Sequence, residues 1–252
     1  MLSRCVAACI GGAACVLLPP DARAGAWTRP AGEWLNIDSV EMFAAKGQDY
    51  DFSQLTARTY HEYGLTEGFS VGSSVAHAQQ QVVGDDYAIY LDGIAQAEIF
   101  AQFALPADHT RASSIRLTGV FRTSTFVRGQ RAMGQDAAIG LSWLEGVGND
   151  RAFAEAEFGY RRSLGDDADQ LRLHTTIGLK HRGGMLLART FHTKGLFPKD
   201  PEGIDYDLGQ LGISAVLPIR KRMKLEIGAR TDLYTRGIDP GSTAFFSIWW
   251  GS

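Results

Sequence analysis

MKLEIGARTDL, residues 223 to 233, places Leu225, Ile227, Ala229, Thr231 and Leu233 on one face of an extended chain and Lys224, Glu226, Gly228, Arg230 and Asp232 on the other. Successive strand residues point to opposite faces, so this is a period of two with charges of both signs on one side. After the turn RGIDPG, Ala244, Phe246, Ile248 and Trp250 mark a second apolar face. A soluble sandwich usually hides its large residues and leaves small polar ones outside. Here charges alternate with apolar residues of mixed size, which suits strands whose polar face lines a lumen and whose apolar face meets lipid.

Composition points the same way. Hydrophobic residues make up 45% of the 252, yet mean hydropathy is only -0.11. No window after residue 25 approaches the roughly 18 apolar residues that a membrane helix needs, which excludes a helical membrane protein. The 29 glycines and 8 prolines fit many strands joined by tight turns. A net charge of -3 offers no electrostatic footprint for nucleic acid.

Residues 1–24 read as an export signal. Arg4 gives a positive start, VAACIGGAACVLL an apolar core, and Ala22-Arg23-Ala24 a small-x-small cleavage site before Gly25. A lipoprotein reading would lipidate Cys15, but GGAAC lacks the usual leucine and the apolar run continues past it. Cys5, Cys9 and Cys15 all fall in this segment, so the mature chain has no cysteine and no disulfide staple.

From Gly25 onward the alternation recurs. Gly32 to Phe43 is a weak first strand, with Trp34 and Met42 as interface or lipid contacts; Ser53 to Tyr63 and Phe69 to Val75 flank the tight connection YGLTEGF, around which Tyr60, Tyr63 and Phe69 cluster as interface aromatics. The strongest period sets Tyr87, Ile89, Leu91, Gly93, Ala95, Ala97, Ile99, Ala101 and Phe103 against Tyr90, Asp92, Ile94, Gln96, Glu98, Phe100 and Gln102. Further segments run from 115 to 127, 137 to 143, 152 to 161, 171 to 180, 184 to 193, 211 to 217, 223 to 233 and 242 to 250. That makes twelve strands and one domain over residues 25–252, an all-β, antiparallel transmembrane β-barrel. An even count puts both termini at one rim, together with YGLTEG, PADHTR, GVGND, HRGG and PIRKR, and puts the 193 to 206 loop at the other.

The hairpin EYGLTEGFSVG, Glu62 to Gly72, and the alternation from Gly32 to Trp250 resemble Gram-negative outer-membrane β-barrel proteins and, more loosely, outer-membrane transporter families whose repeats contain such a hairpin. Such barrels often end in an aromatic residue; here Trp250 is followed by Gly251 and Ser252. The resemblance implies location in the bacterial outer membrane and contact with its lipid and lipopolysaccharide. It also implies insertion by barrel-assembly machinery and passive passage of small solutes.

Chemistry leaves a weaker mark. His61, His77, His109, His174, His181 and His192 are scattered, with no metal-ligand spacing, and no cofactor is expected. A lipid-modifying barrel hydrolase is the enzyme alternative, built from His61 with Glu62 or His77 with Ser73 or Ser74. Histidines on barrel strands are more often plain polar residues, and the expectation is a non-enzyme. The inward parity nominates Asp92, Glu98, Arg116, Arg122, Glu155, Glu157, Lys180, Glu226, Arg230 and Asp232 as lumen lining. These charges either pair across strands and close the interior or leave a hydrated path that selects solutes by charge. The two functional expectations are a passive channel and a structural or secretion-associated barrel that meets an envelope partner or an exported polymer.

Overall fold

The computed structural model describes residues 25–107, 110–122, 126–127, 130–131, 136–165, 168–196, 206–236 and 239–252. The expected export signal at 1–24 lies outside the described residues, as do Thr123, Thr125 and Arg128 of the fifth expected strand and most of the 193 to 206 loop.

Strands dominate the chain. They are β1 (Trp34–Lys46), β2 (Tyr50–Thr66), β3 (Phe69–Gly84), β4 (Ala88–Leu105), β5 (Arg111–Arg122), β6 (Phe126–Val127), β7 (Gln130–Arg131), β8 (Asp136–Gly148), β9 (Ala152–Ser163), β10 (Asp169–His181), β11 (Gly184–Leu196), β12 (Asp207–Arg220), β13 (Met223–Arg236) and β14 (Gly241–Gly251). The pairings β1 with β14 and β3 with β4 close the ring, so twelve long antiparallel strands form one closed barrel. Closure is what hydrocarbon demands, because an unpaired edge would leave a row of backbone groups with no water to bind. The two-residue strands β6 and β7 pair with each other, and Phe126 pairs with Asp92 of β4. Of the expected strand at 115 to 127, the residues up to Arg122 belong to β5, and Phe126 and Val127 belong to this small hairpin.

Side-chain parity divides inside from outside. Ile99, Leu141, Ile177, Ile213, Ile227 and Phe246 are all exposed on the outer wall. In water so large an apolar surface would be a liability; against lipid it is a matched one. Strands of 11 to 18 residues exceed the roughly 9 to 11 needed to cross hydrocarbon and project beyond it.

Antiparallel order gathers the turns at 67–68, 106–110, 149–151, 182–183 and 221–222 at one rim with Trp34 and Gly251, here called the turn end. There the interior holds two apolar clusters. One apolar cluster joins Ala26, Ala112 and Leu144 beneath Trp27, and another joins Phe153, Leu187 and Val216 with Met185 and Trp249. Tyr63 and Phe69 face outward near this rim as expected of interface aromatics, but Tyr60 does not. It points inward, stacks on Phe100 at 5.7 Å and donates to Glu62 at 3.1 Å, because strand parity puts it on the face opposite Tyr63.

Candidate lumen

Above these clusters the barrel holds a layer of ion pairs, most of which reach over intervening strands. Arg189 of β11 passes across β12 to Glu226 of β13 at 2.5 Å, and Ser214 and the Trp249 indole also donate to that buried carboxylate, at 2.6 and 3.1 Å. Arg230 of β13 passes across β14 to Glu41 of β1 at 3.1 Å, with Arg58 of β2 at 3.9 Å on the same carboxylate. Arg116 of β5 donates to Gln102 at 2.9 and 2.6 Å and stands 3.6 Å from Glu157 of β9. Arg161 of β9 meets Glu98 of β4 at 2.7 Å, reaching across β8 and β5. Guanidinium groups suit this work because their donors are fixed in a planar fork and they stay charged.

The pairs do not fill the barrel. A cavity of about 560 Å³ remains, lined by Arg58, Arg116, Arg172, Arg189 and Arg230 on the cationic side and by Glu41, Glu155, Glu157 and Glu226 on the anionic side. Among the described residues Arg172 has no carboxylate within 4.0 Å; its guanidinium instead lies 3.4 Å from His174.

A second feature carries no periodic signal at all. Residues 25–31 enter the lumen at the turn end as a crossbar. Gly25 accepts from Gln102 of β4 at 2.8 Å, Trp27 packs against Ala112 and Leu144, and Arg29 binds Glu62 of β2 at 3.3 Å. Next to Arg29, the Gly32 amide donates to Gly64 at 2.9 Å. The wall is cut to fit this segment: a Cβ on Gly146 would meet the Trp27 ring at 2.5 Å, and one on Gly64 would meet the Arg29 carbonyl at 2.6 Å. β2 and β9, which hold the two ends through Glu62 and Glu155, are five strands apart in a ring of twelve, so the crossbar runs nearly from wall to opposite wall.

Most of the residues nominated from parity lie on the inner wall. Glu98, Arg116, Glu157, Glu226 and Arg230 join the ion pairs above; Asp232 accepts from Gln210 at 2.6 Å and from the Gly241 amide at 2.7 Å. Lys180 sits lower, donating to the Asn149 carbonyl at 3.1 Å over the Phe153 ring, and Arg122 lies at the far end of β5 opposite Asp136. Glu155 is beside the crossbar.

Asp92 is the correction. A β-bulge between Gln96 and Ile94, opposite Ala76 and His77, adds one residue to β4 and reverses its parity. Asp92 therefore stands on the outer wall, exposed and 3.2 Å from His77. Strand parity separates two of the hydrolase pairings: His61 and Glu62 face opposite sides of β2, and Ser74 is buried inside while His77 is outside; Ser73 shares the outer face of β3 with His77, four residues along the strand. His61 does stand opposite Ser73 on the outer wall, with no hydrogen bond between them among the described residues. The parity reading does not nominate Glu41, Arg189 or the crossbar, takes Glu62 only as a hydrolase candidate beside His61, and sets Arg161 on the polar face of its strand without nominating it. Parity alone could have found Arg189 and Glu41 on their strands; nothing periodic marks residues 25–31.

No family model and no curated protein matches the chain. Solved structures do. An outer membrane channel from Pseudomonas putida F1 superposes with a TM-score of 0.67 at 10% identity, over 92% of this chain and 100% of that one. The NanC porin gives 0.57 at 7% identity, over 84% and 98%. The translocator domain of autotransporter NalP from Neisseria meningitidis gives 0.54 at 10% identity, over 88% and 89%. The shared property is the outer-membrane β-barrel fold.

Proposed function

We propose that the chain is a passive channel for small hydrated solutes in the bacterial outer membrane. The observation that carries this reading is the charged cavity of about 560 Å³ inside a barrel whose outer wall is apolar. A purely structural barrel has no need of polar space at its centre, and fixed charges beside a narrow path are weakly screened compared with charges on an open surface. A channel and a porin among the similar folds agree with it.

The pairing pattern also sets an expectation for selectivity. Arg116 and Glu157 largely cancel each other, as do Arg189 and Glu226, so neither a purely acidic nor a purely basic constriction results. The cavity lining carries five arginines against four glutamates, and Arg172 is the arginine that makes no close carboxylate pair among the described residues, a balance that favours small anions. Reconstitution in planar bilayers tests this. A discrete conductance with a modest anion preference that declines in Arg172→Gln supports the reading, and a folded barrel that passes no current opposes it.

The second reading is a secretion-associated barrel. It draws on the crossbar, since a stretch of polypeptide already occupies the lumen, and on the translocator fold of NalP. Absence of conductance together with a co-purifying envelope partner would favour it.

A further inference from the structure

Glu155 is placed awkwardly for a carboxylate. One of its oxygens is buried with no hydrogen-bond partner among the described residues, although Thr176 and the Ala26 amide lie near the group. The nearby Arg116 is committed to Gln102 and Glu157. A buried carboxylate oxygen with no donor is costly even where Thr176, the Ala26 amide, Arg116 and Arg189 favour the group, so one acceptor position stands open.

The missing partner is supplied by the chain itself. A Cβ built on Gly25 would come within 2.6 Å of the Glu155 carboxyl carbon, which explains why glycine stands there, with φ of 61°. The Gly25 nitrogen is one bond from the same Cα and so lies within about 5 Å of the carboxylate. While Ala24 is attached, that nitrogen is a neutral amide. Hydrolysis of the Ala24–Gly25 bond consumes one water, leaves a carboxylate on Ala24 and gives Gly25 an amine that takes up a proton.

We propose that cleavage after Ala24 creates the ion partner of Glu155, an α-ammonium inside the lumen that fastens the crossbar to β9. The anchor at the other end, Arg29 on Glu62, needs no processing. Export processing thus finishes the interior of the barrel: the precursor can bring the segment into the lumen, and only the mature chain locks it there. This inference does not depend on whether the barrel conducts.

The test is labelling of the mature, detergent-folded protein with an aldehyde selective for N-terminal amines, followed by intact mass. The expected mature chain begins at Gly25, and folded protein labels at least about tenfold more slowly than protein unfolded in urea, because reaction requires local opening. Glu155→Gln, or one additional alanine before Gly25 with Glu155 intact, should bring labelling of the folded barrel close to the unfolded rate. The alanine extension keeps the question answerable if Glu155→Gln does not fold. A mature chain that begins elsewhere overturns the proposal, as does rapid labelling of folded wild type or unchanged protection in the variants. Because no current is measured, such a result leaves the channel reading standing, and a silent bilayer leaves this one standing.

Discussion

The hairpin β13–β14 and the hairpin β3–β4 look alike in sequence and behave differently in the barrel. In β13 the period of two runs unbroken from Leu225 to Asp232, so Glu226 and Arg230 reach Arg189 and Glu41 inside while Ile227 stays on the outer wall. In β4 the alternation reads as one long stripe, yet a single extra residue reverses it. Below the bulge Glu98 faces Arg161 in the lumen; above it Asp92 faces His77 outside. A two-residue period fixes a face only between bulges, and a charge on the expected parity is lumenal only as far as the ladder stays in register.

The largest effect should come from the regular hairpin. Glu226→Ala strands Arg189 and leaves Ser214 and the Trp249 indole without their acceptor, so a loss of about 3 to 5 kcal/mol is expected, as for other broken buried pairs. Urea unfolding followed by tryptophan fluorescence and heat-modifiable migration would measure it. A loss under about 1 kcal/mol would mean that the pair is solvated like a surface one.

Next is Ile227→Arg on the other face of the same strand. A cation there should cost about 2 to 4 kcal/mol near the bilayer midplane. Equal tolerance of arginine at 226 and 227 would break the assignment of faces.

The smallest effect belongs to the irregular hairpin. Asp92→Leu should change stability by no more than about 1 kcal/mol, since the pair it removes is exposed. Cysteines at 92 and 226 sharpen the contrast, because only the first should react with a reagent confined to the outside of the barrel. Protection at 92 would restore the uninterrupted stripe.

What could be read from the sequence follows from the same difference. The twelve strands were legible because lipid outside and charge inside imprint alternation on each, as Leu171 to Leu179 set against Arg172, His174 and Lys180 makes plain. Bulges were not, since the extra residue in β4 falls in a run of small and apolar side chains that tolerate either face. Pairing was also hidden. Glu41 and Arg230 are 189 residues apart and meet only because β1 closes on β14. The crossbar was least legible, as Gly25 to Pro30 has no period and its partners Gln102, Glu62 and Glu155 come from three separate strands. Tyr60 shows the limit of residue type as a guide: an aromatic near a rim was read as a lipid anchor, yet it packs on Phe100 within the lumen.

Whether this charged interior carries solute is read most directly by single-channel recording in a salt gradient. Discrete steps that scale with salt are expected, with a reversal potential of modest anion preference that moves toward zero in Arg172→Gln. A barrel that is folded by heat-modifiable migration and inserted, yet gives no steps in either form, would contradict the channel reading.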